Sequence, residues 1–112
     1  MMEPVVSRER IITCPVTGKQ LVINLAAHRV TIRNVEVKLT KLEFKLLWLF
    51  VNNVGIALTH QQLITRVWGK EDGASINSLQ AHIKKLLDKV RLDDASWDIT
   101  SLRGVGYRFD VG

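Results

Sequence analysis

Apolar and polar residues alternate through the first forty positions of the chain in four short segments. Each segment is about five residues long and rich in β-branched side chains, which is typical of strands. Turn-forming residues such as Pro15 and Gly18 separate them. In the fourth segment apolar and charged residues alternate strictly, so one of its faces should be buried. The pattern predicts an antiparallel N-terminal sheet with strands at residues 10–14, 20–25, 29–33 and 35–39.

The spacing of apolar residues changes to that of a helix after residue 39. Thr40 and Glu43 have the spacing of a capping box, and Thr59 and Gln62 repeat it. Behind each threonine, apolar residues recur every three or four positions. The sequence therefore predicts a first helix that ends near residue 53 and a shorter second helix that ends at Gly69.

A third helix is predicted over about residues 75–91, with Ser75 as its cap. Its apolar residues recur at the spacing of one helix face, which should be buried. That face comprises Ile76, Leu79, Ile83, Leu86, Leu87 and Val90.

Two more strands, at residues 97–102 and 105–111, flank Arg103 and Gly104, a hairpin signal. Of the three tryptophans, the pattern predicts that Trp48 and Trp68 are core residues and that Trp97 is half buried.

The order of these elements points to a fold class. Strands, three helices and a terminal hairpin do not form the alternating pattern of a parallel α/β sheet. The prediction is an α+β fold, a winged helix-turn-helix with an N-terminal four-stranded antiparallel sheet, three helices and a C-terminal β-hairpin wing. Residues 1–9 are predicted to be a flexible N-terminal lead, and residues 10–112 a single domain.

Composition narrows the range of partners and settings. The chain has 16 Lys and Arg residues against 11 Asp and Glu residues, a net charge of +5, which favours a polyanionic partner. A single cysteine, Cys14, excludes an internal disulfide and fits a reducing, cytoplasmic setting. No apolar run is long enough to span a bilayer, and no secretory signal is visible.

The residues give no support for an enzyme. His28, His60 and His82 are far apart and lack the spacing of a metal site. Gly104 and Gly106 follow no strand-to-helix junction, so they are attributed to turn geometry rather than to a dinucleotide loop. No nucleophile with a base, no paired carboxylates and no phosphate loop occur. We therefore expect no catalytic activity, no cofactor, no metal and no small-molecule ligand.

Four motifs in order resemble a known family. They are VKLTKLEFKLL at residues 37–47, GIALTHQQLITRVWG at 55–69, the HI-x-x-L step at 82–86, and SLRGVGYRF at 101–109. Together they look like the OmpR/PhoB-type winged-helix effector domain of bacterial transcription regulators, over nearly the whole chain. The resemblance implies a recognition helix in the major groove of double-stranded promoter or operator DNA and head-to-tail pairing on DNA. It also implies contact with RNA polymerase through the loop Gly69–Ala74.

The resemblance also implies which side chains meet DNA. Lys84 and Lys85 are on the outer face of the third helix, although a merely solvated face would have the same pattern. Arg103 is expected in the minor groove, and Tyr107 is either a phosphate contact or part of the core edge. The full set of expected contacts is Ser78, Ala81, His82, Lys84, Lys85, Lys89, Thr100, Ser101, Arg103 and Tyr107.

Three positions depart from the family pattern. Asn77 stands where the family usually has a phosphate-binding arginine, Gln80 replaces an aspartate, and Leu87 replaces a basic residue. Lysine lacks the bidentate fork of arginine, so weaker affinity or different bases should follow. These departures leave a second function open, a winged helix that docks protein or oligomerises without contacting DNA bases.

Overall fold

The computed structural model describes residues 9–69, 74–92, 94 and 96–112. Seven strands and three helices occur in these residues, and they give the α+β winged-helix order expected from the sequence. The strands and helices, in chain order, are β1 (Glu9–Thr13), β2 (Gln20–Asn24), β3 (Arg29–Ile32), β4 (Val35–Val37), α1 (Lys41–Val51), β5 (Ala57–Thr59), α2 (His60–Trp68), α3 (Ile76–Val90), β6 (Trp97–Leu102) and β7 (Gly106–Val111).

The N-terminal sheet is antiparallel with strand order β1-β2-β3-β4, as predicted. One of its faces covers the core, where the side chains of β2 and β3 that point inward are buried. Glu9 pairs with Asn24 as the first residue of β1, so this strand begins one residue before the predicted start at residue 10. Residues 1–8 lie outside the described part of the chain.

Side-chain caps fix the start of each helix. The Thr40 hydroxyl accepts a hydrogen bond from the Glu43 backbone N–H at 3.2 Å, and Thr59 accepts one from Gln62 at 3.0 Å. In both capping boxes the third-residue side chain bonds back to the backbone N–H of the threonine. Ser75 caps α3. All three helix starts are therefore determined locally, as the sequence predicted.

The C-terminal sheet has a third strand that the sequence analysis missed. Strand β5 pairs with β7, which gives the strand order β5-β7-β6 rather than a two-stranded hairpin. Because β5 has only three residues, its own sequence carries too little alternation to identify it. Its partner lies some fifty residues later in the chain, so the pairing depends on the tertiary fold.

Gly106 allows this third strand to come close. A Cβ atom at Gly106 would lie 1.9 Å from the Leu58 carbonyl oxygen and 2.8 Å from the Thr59 Cα. Gly106 therefore serves close backbone approach, and its assignment to turn geometry was wrong. Gly104, with φ of +74°, is the glycine that the turn requires.

Two predictions about burial were also wrong. Ile76 is 46% exposed because, as the first residue of α3, it lies at the edge of the apolar face, beyond the elements that cover Leu79 and Ile83. Trp97 is fully buried rather than half buried, and its indole Nε1 donates a 2.7 Å hydrogen bond to the Val90 carbonyl. Trp97 thus joins the start of β6 to the end of α3.

A third burial prediction was wrong in β4, the edge strand of the N-terminal sheet, where Val35 is 66% exposed and Val37 is only partly buried. Cys14 is buried, and Trp48 and Trp68 are partly buried against the core. No helix in the described ranges has both the length and the apolar character needed to cross a membrane.

Candidate nucleic-acid interface

Helix α3 has one buried face and one exposed face. Leu79, Ile83, Leu86 and Val90 are each at most 3% exposed. The outward face, which begins at Asn77 and continues through Ala81 and Lys84 to Asp88, is exposed. Since these positions recur at offsets of 4, 7 and 11, they form one line along the outside of the helix.

Lys84 and Lys85 give this outer face its positive charge. Both side chains are exposed. Neither forms an ion pair with any residue that the structure describes. Asp88 follows them one turn later on the same face, so the positive charge is concentrated in the middle of α3.

Ser78 and His82 lie on the side of α3 that faces α2. His82 is half buried, and its Nδ1 lies 2.7 Å from the Ser78 carbonyl oxygen. Its ring packs edge-on against Trp68, with 5.3 Å between the ring centroids. Because these contacts fix the ring, only the outer edge of His82 is available to a ligand.

Lys89, which the sequence placed among the expected DNA contacts, forms an ion pair within the protein. Its Nζ lies 2.6 Å from Glu43 Oε1, and the Glu43 side chain is 1% exposed. Burial of the Glu43 carboxyl acts to raise its pKa, but hydrogen bonds from Lys89 and Thr40 outweigh burial and lower the pKa. Lys89 therefore joins α3 to α1, and its amino group is directed away from the outer face.

The wing turn, residues 103–105, lies beside the first turn of α2. The His60 backbone N–H donates a 3.1 Å hydrogen bond to the Val105 carbonyl oxygen. Arg103 is exposed in this turn and has no ion-pair partner within the described residues. Asp98 and Asp110, which could have neutralised it, pair with Arg91 and Arg108 further down the hairpin.

Thr100 and Ser101 are neighbours on β6, so their side chains point to opposite faces of the sheet. Ser101 is paired with Tyr107 and is exposed. Thr100 lies on the face that carries Asp110, to which its hydroxyl donates a 3.3 Å hydrogen bond. The two hydroxyls therefore cannot act as a side-by-side pair on one phosphate, and Ser101 is the more accessible.

Tyr107 belongs mainly to the core. It is 6% exposed, and its ring packs edge-on against His60 at a centroid distance of 5.8 Å. Burial raises the pKa of the Tyr107 hydroxyl, while a hydrogen bond with the Gln80 side chain opposes that rise. Tyr107 thus joins the wing to α2 and α3.

Asn77 and Gln80 are exposed on the N-terminal half of α3 but were not among the expected contacts. In the sequence these two residues stand out only as departures from a family pattern. Their positions on the helix relative to Leu79 and Ile83 could have placed them on the exposed side. We call the set formed by Asn77, Ala81, Lys84, Lys85 and Arg103 the α3–wing surface.

A sequence model of a known protein family matches this chain. Residues 34–109 match the sequence model of the family described as "Transcriptional regulatory protein, C terminal". The match covers the segment from β4 to β7, which includes all three helices and the wing.

Relatives of known name are similar over the same part of the chain. The response regulator ArlR of Staphylococcus aureus is 32% identical over 87 residues, which are 78% of this chain and 40% of ArlR. The chain therefore spans less than half the length of that relative.

Solved structures share the fold. The response regulator DrrB of Thermotoga maritima, an OmpR/PhoB homologue, superposes with a TM-score of 0.70 at 27% identity, over 80% of this chain and 41% of DrrB. The RstA DNA-binding domain of Klebsiella pneumoniae, solved in complex with the RstA box, superposes with a TM-score of 0.71 over 90% of this chain and 97% of that domain. At 22% identity, the RstA likeness concerns the fold alone.

Proposed function

Because this chain belongs to the family of transcriptional regulatory protein C-terminal domains, we propose that it binds double-stranded DNA sequence-specifically to control transcription. Helix α3 enters the major groove and the wing turn contacts the adjacent minor groove. The proposed ligand is promoter or operator DNA.

The observation that carries this proposal is the α3–wing surface itself. Lys84, Lys85 and Arg103 are exposed cations without ion-pair partners in the described residues, and they are on the two elements that a winged helix presents to a duplex. Helix α3 is held rigidly behind them by its buried face. A preformed basic surface of this kind suits a polyanion because few side chains must be ordered on binding.

The proposed contacts divide into three groups. Lys84, Lys85 and Ser101 have the charge or hydroxyl groups that bind phosphate or base edges. Ala81 has only a methyl group, so its contact is apolar. Ser78 and His82 lie at the α2 side of α3 and contact the DNA backbone with the edges that remain accessible.

The wider setting is part of the proposal. The similarity to ArlR supports use of this domain in a two-component response regulator of the bacterial cytoplasm. Pairs of domains bind head to tail on DNA, and the segment Gly69–Ala74 contacts RNA polymerase. Residues 70–73 of that segment lie outside the described part of the chain.

The test measures binding as a function of salt. Duplexes selected from a randomised library by the protein serve as the specific ligand, and a scrambled duplex of equal length serves as the reference. In fluorescence anisotropy, log K should fall linearly with log salt at about −0.9 per phosphate contacted. Lys84→Ala should reduce the slope by about one. Lys85→Ala should weaken the selected duplex more than the scrambled one.

A matched control removes a cation from another part of the protein. Arg29 lies in β3 of the N-terminal sheet and pairs with Glu36, so Arg29→Ala should leave the slope unchanged. Two results would contradict sequence-specific DNA binding: no duplex binds more tightly than the scrambled reference, or the affinity does not depend on salt. Either result would favour the alternative function, a winged helix that docks protein.

A further inference from the structure

Helix α3 has two exposed amide side chains in its N-terminal half, and their surroundings differ. The Gln80 amide lies near enough to the Tyr107 hydroxyl of the wing sheet to act on its pKa, which it lowers. Asn77 forms no side-chain hydrogen bond with any other described residue. Of the two amides, Asn77 is the one on the outer line of α3 with Ala81 and Lys84, and its donor and acceptor have no partner among the described residues.

Asn77 also starts the line of residues that a duplex would meet. Ala81 follows it after one turn, and Lys84 after two. The rise of a helix separates Asn77 from Ala81 by about 6 Å along its axis. That separation is less than two base-pair steps, since base pairs in a duplex are about 3.4 Å apart.

The chemistry of these two side chains selects among bases. An asparagine amide can form a bidentate pair with adenine, in which its NH₂ group donates to N7 and its carbonyl oxygen accepts from the N6 amino group. A small apolar residue such as alanine contacts the C5-methyl group of thymine. Arginine, which pairs with guanine in the same way, is absent from this line of α3.

We propose that Asn77 contacts an adenine and Ala81 a thymine methyl group in the major groove, within two base-pair steps of each other. Asn77 is then the specificity-determining residue for an A·T pair. This inference rests on the proposed DNA-binding function. In it, Asn77 contacts a base, whereas an arginine at this position would contact a phosphate.

The first experiment compares base preferences. Wild type, Asn77→Ala and the matched control Gln80→Ala each select duplexes from a randomised library. Wild type and Gln80→Ala should enrich the same A·T pair at one position. Asn77→Ala should lose the preference at that position and keep it elsewhere.

The second experiment changes single atoms of the selected duplex. Replacing the adenine by 7-deazaadenine removes N7 but keeps the N6 amino group, so it should weaken wild-type binding roughly 2- to 13-fold, which corresponds to the loss of one hydrogen bond. The same replacement should not weaken Asn77→Ala further. Replacing the thymine by uracil should weaken wild type but not Ala81→Gly.

The outcomes separate this inference from the proposed function. If Asn77→Ala weakens all duplexes equally, Asn77 contacts phosphate and the inference is overturned while DNA binding stands. If Asn77→Ala keeps the full A·T preference, the inference is also overturned. If wild type selects no duplex at all, the proposed function itself fails.

Discussion

Lys89 Nζ lies 2.6 Å from Oε1 of the buried Glu43, and the same oxygen accepts a 2.9 Å hydrogen bond from the Thr40 backbone N–H. One carboxylate oxygen therefore belongs both to the cap of α1 and to an ion pair with α3. The contact joins the first turn of α1 to the last turn of the proposed recognition helix. Through this contact Lys89 stabilises the fold, although Lys84 and Lys85 on the same helix are exposed.

Lys89→Ala should lower the free energy of unfolding by about 1–3 kcal/mol, because it leaves the buried Glu43 carboxylate without its charged partner. Chemical denaturation measures the change. Lys85→Ala, which removes the same charge from the exposed face, should cost less than about 0.5 kcal/mol. Equal stability of the two variants would show that the Glu43–Lys89 pair does not support the fold.

Gly106→Ala should destabilise the wing by about 1–3 kcal/mol or more, because the added Cβ would overlap the Leu58 carbonyl oxygen. The matched change is Gly104→Asn. Gly104 has open space around it, and asparagine tolerates its positive φ of +74°. Thermal melts should therefore show a large loss for the first variant and a small one for the second. The reverse order would contradict the assignment of Gly106 to close strand approach.

Leu86→Ala should cost about 2–5 kcal/mol, since the Leu86 side chain is fully buried and its truncation leaves a cavity. Ile76→Ala on the same helix should cost far less, because Ile76 is 46% exposed. Urea denaturation of both variants checks this contrast. A similar loss at the two positions would mean that Ile76 is enclosed in solution.

Asp94 should make stability depend on pH in the acid range. Hydrogen bonds from Lys19 and then Ser96 lower the pKa of the Asp94 carboxyl from 3.8 to about 2. Because the folded state binds this proton more weakly than the unfolded state, the contribution is complete above about pH 4 and is lost as the pH falls toward 2.

The measurement for Asp94 is the urea midpoint of wild type and Asp94→Asn from pH 7 to pH 2. The difference between the two proteins should be constant at neutral pH and should shrink between pH 4 and pH 2. A difference that persists at pH 2 would rule out the ionised carboxyl as its source.

Arg103→Ala should reduce DNA affinity most on operators with an A·T-rich flank, where a narrow minor groove concentrates negative potential. Anisotropy on two operators that differ only in that flank measures the effect. Arg10→Ala, which removes an exposed arginine from β1, is the matched control. No loss on either operator would exclude a minor-groove role for Arg103.

The sequence by itself determined the features that depend on neighbours along the chain. The capping boxes at Thr40 and Thr59, the buried face of α3 and the turn at Gly104 each follow from residues within one or two turns of each other. The spacing of nearby residues therefore determines the geometry of these features. The order of these elements was enough to predict the winged-helix fold, and the motifs between β4 and β7 were enough to indicate the family.

The tertiary structure alone decided what depends on residues far apart in the chain. The pairing of Lys89 with Glu43, the pairing of β5 with β7 and the enclosure of Trp97 each join segments that no periodic pattern connects. A lysine on a helix has the same local signature whether it faces solvent or a buried carboxylate. Only the packing of α3 against α1 distinguishes Lys89 from Lys84 and Lys85, because burial and charge pairing are properties of the assembled core.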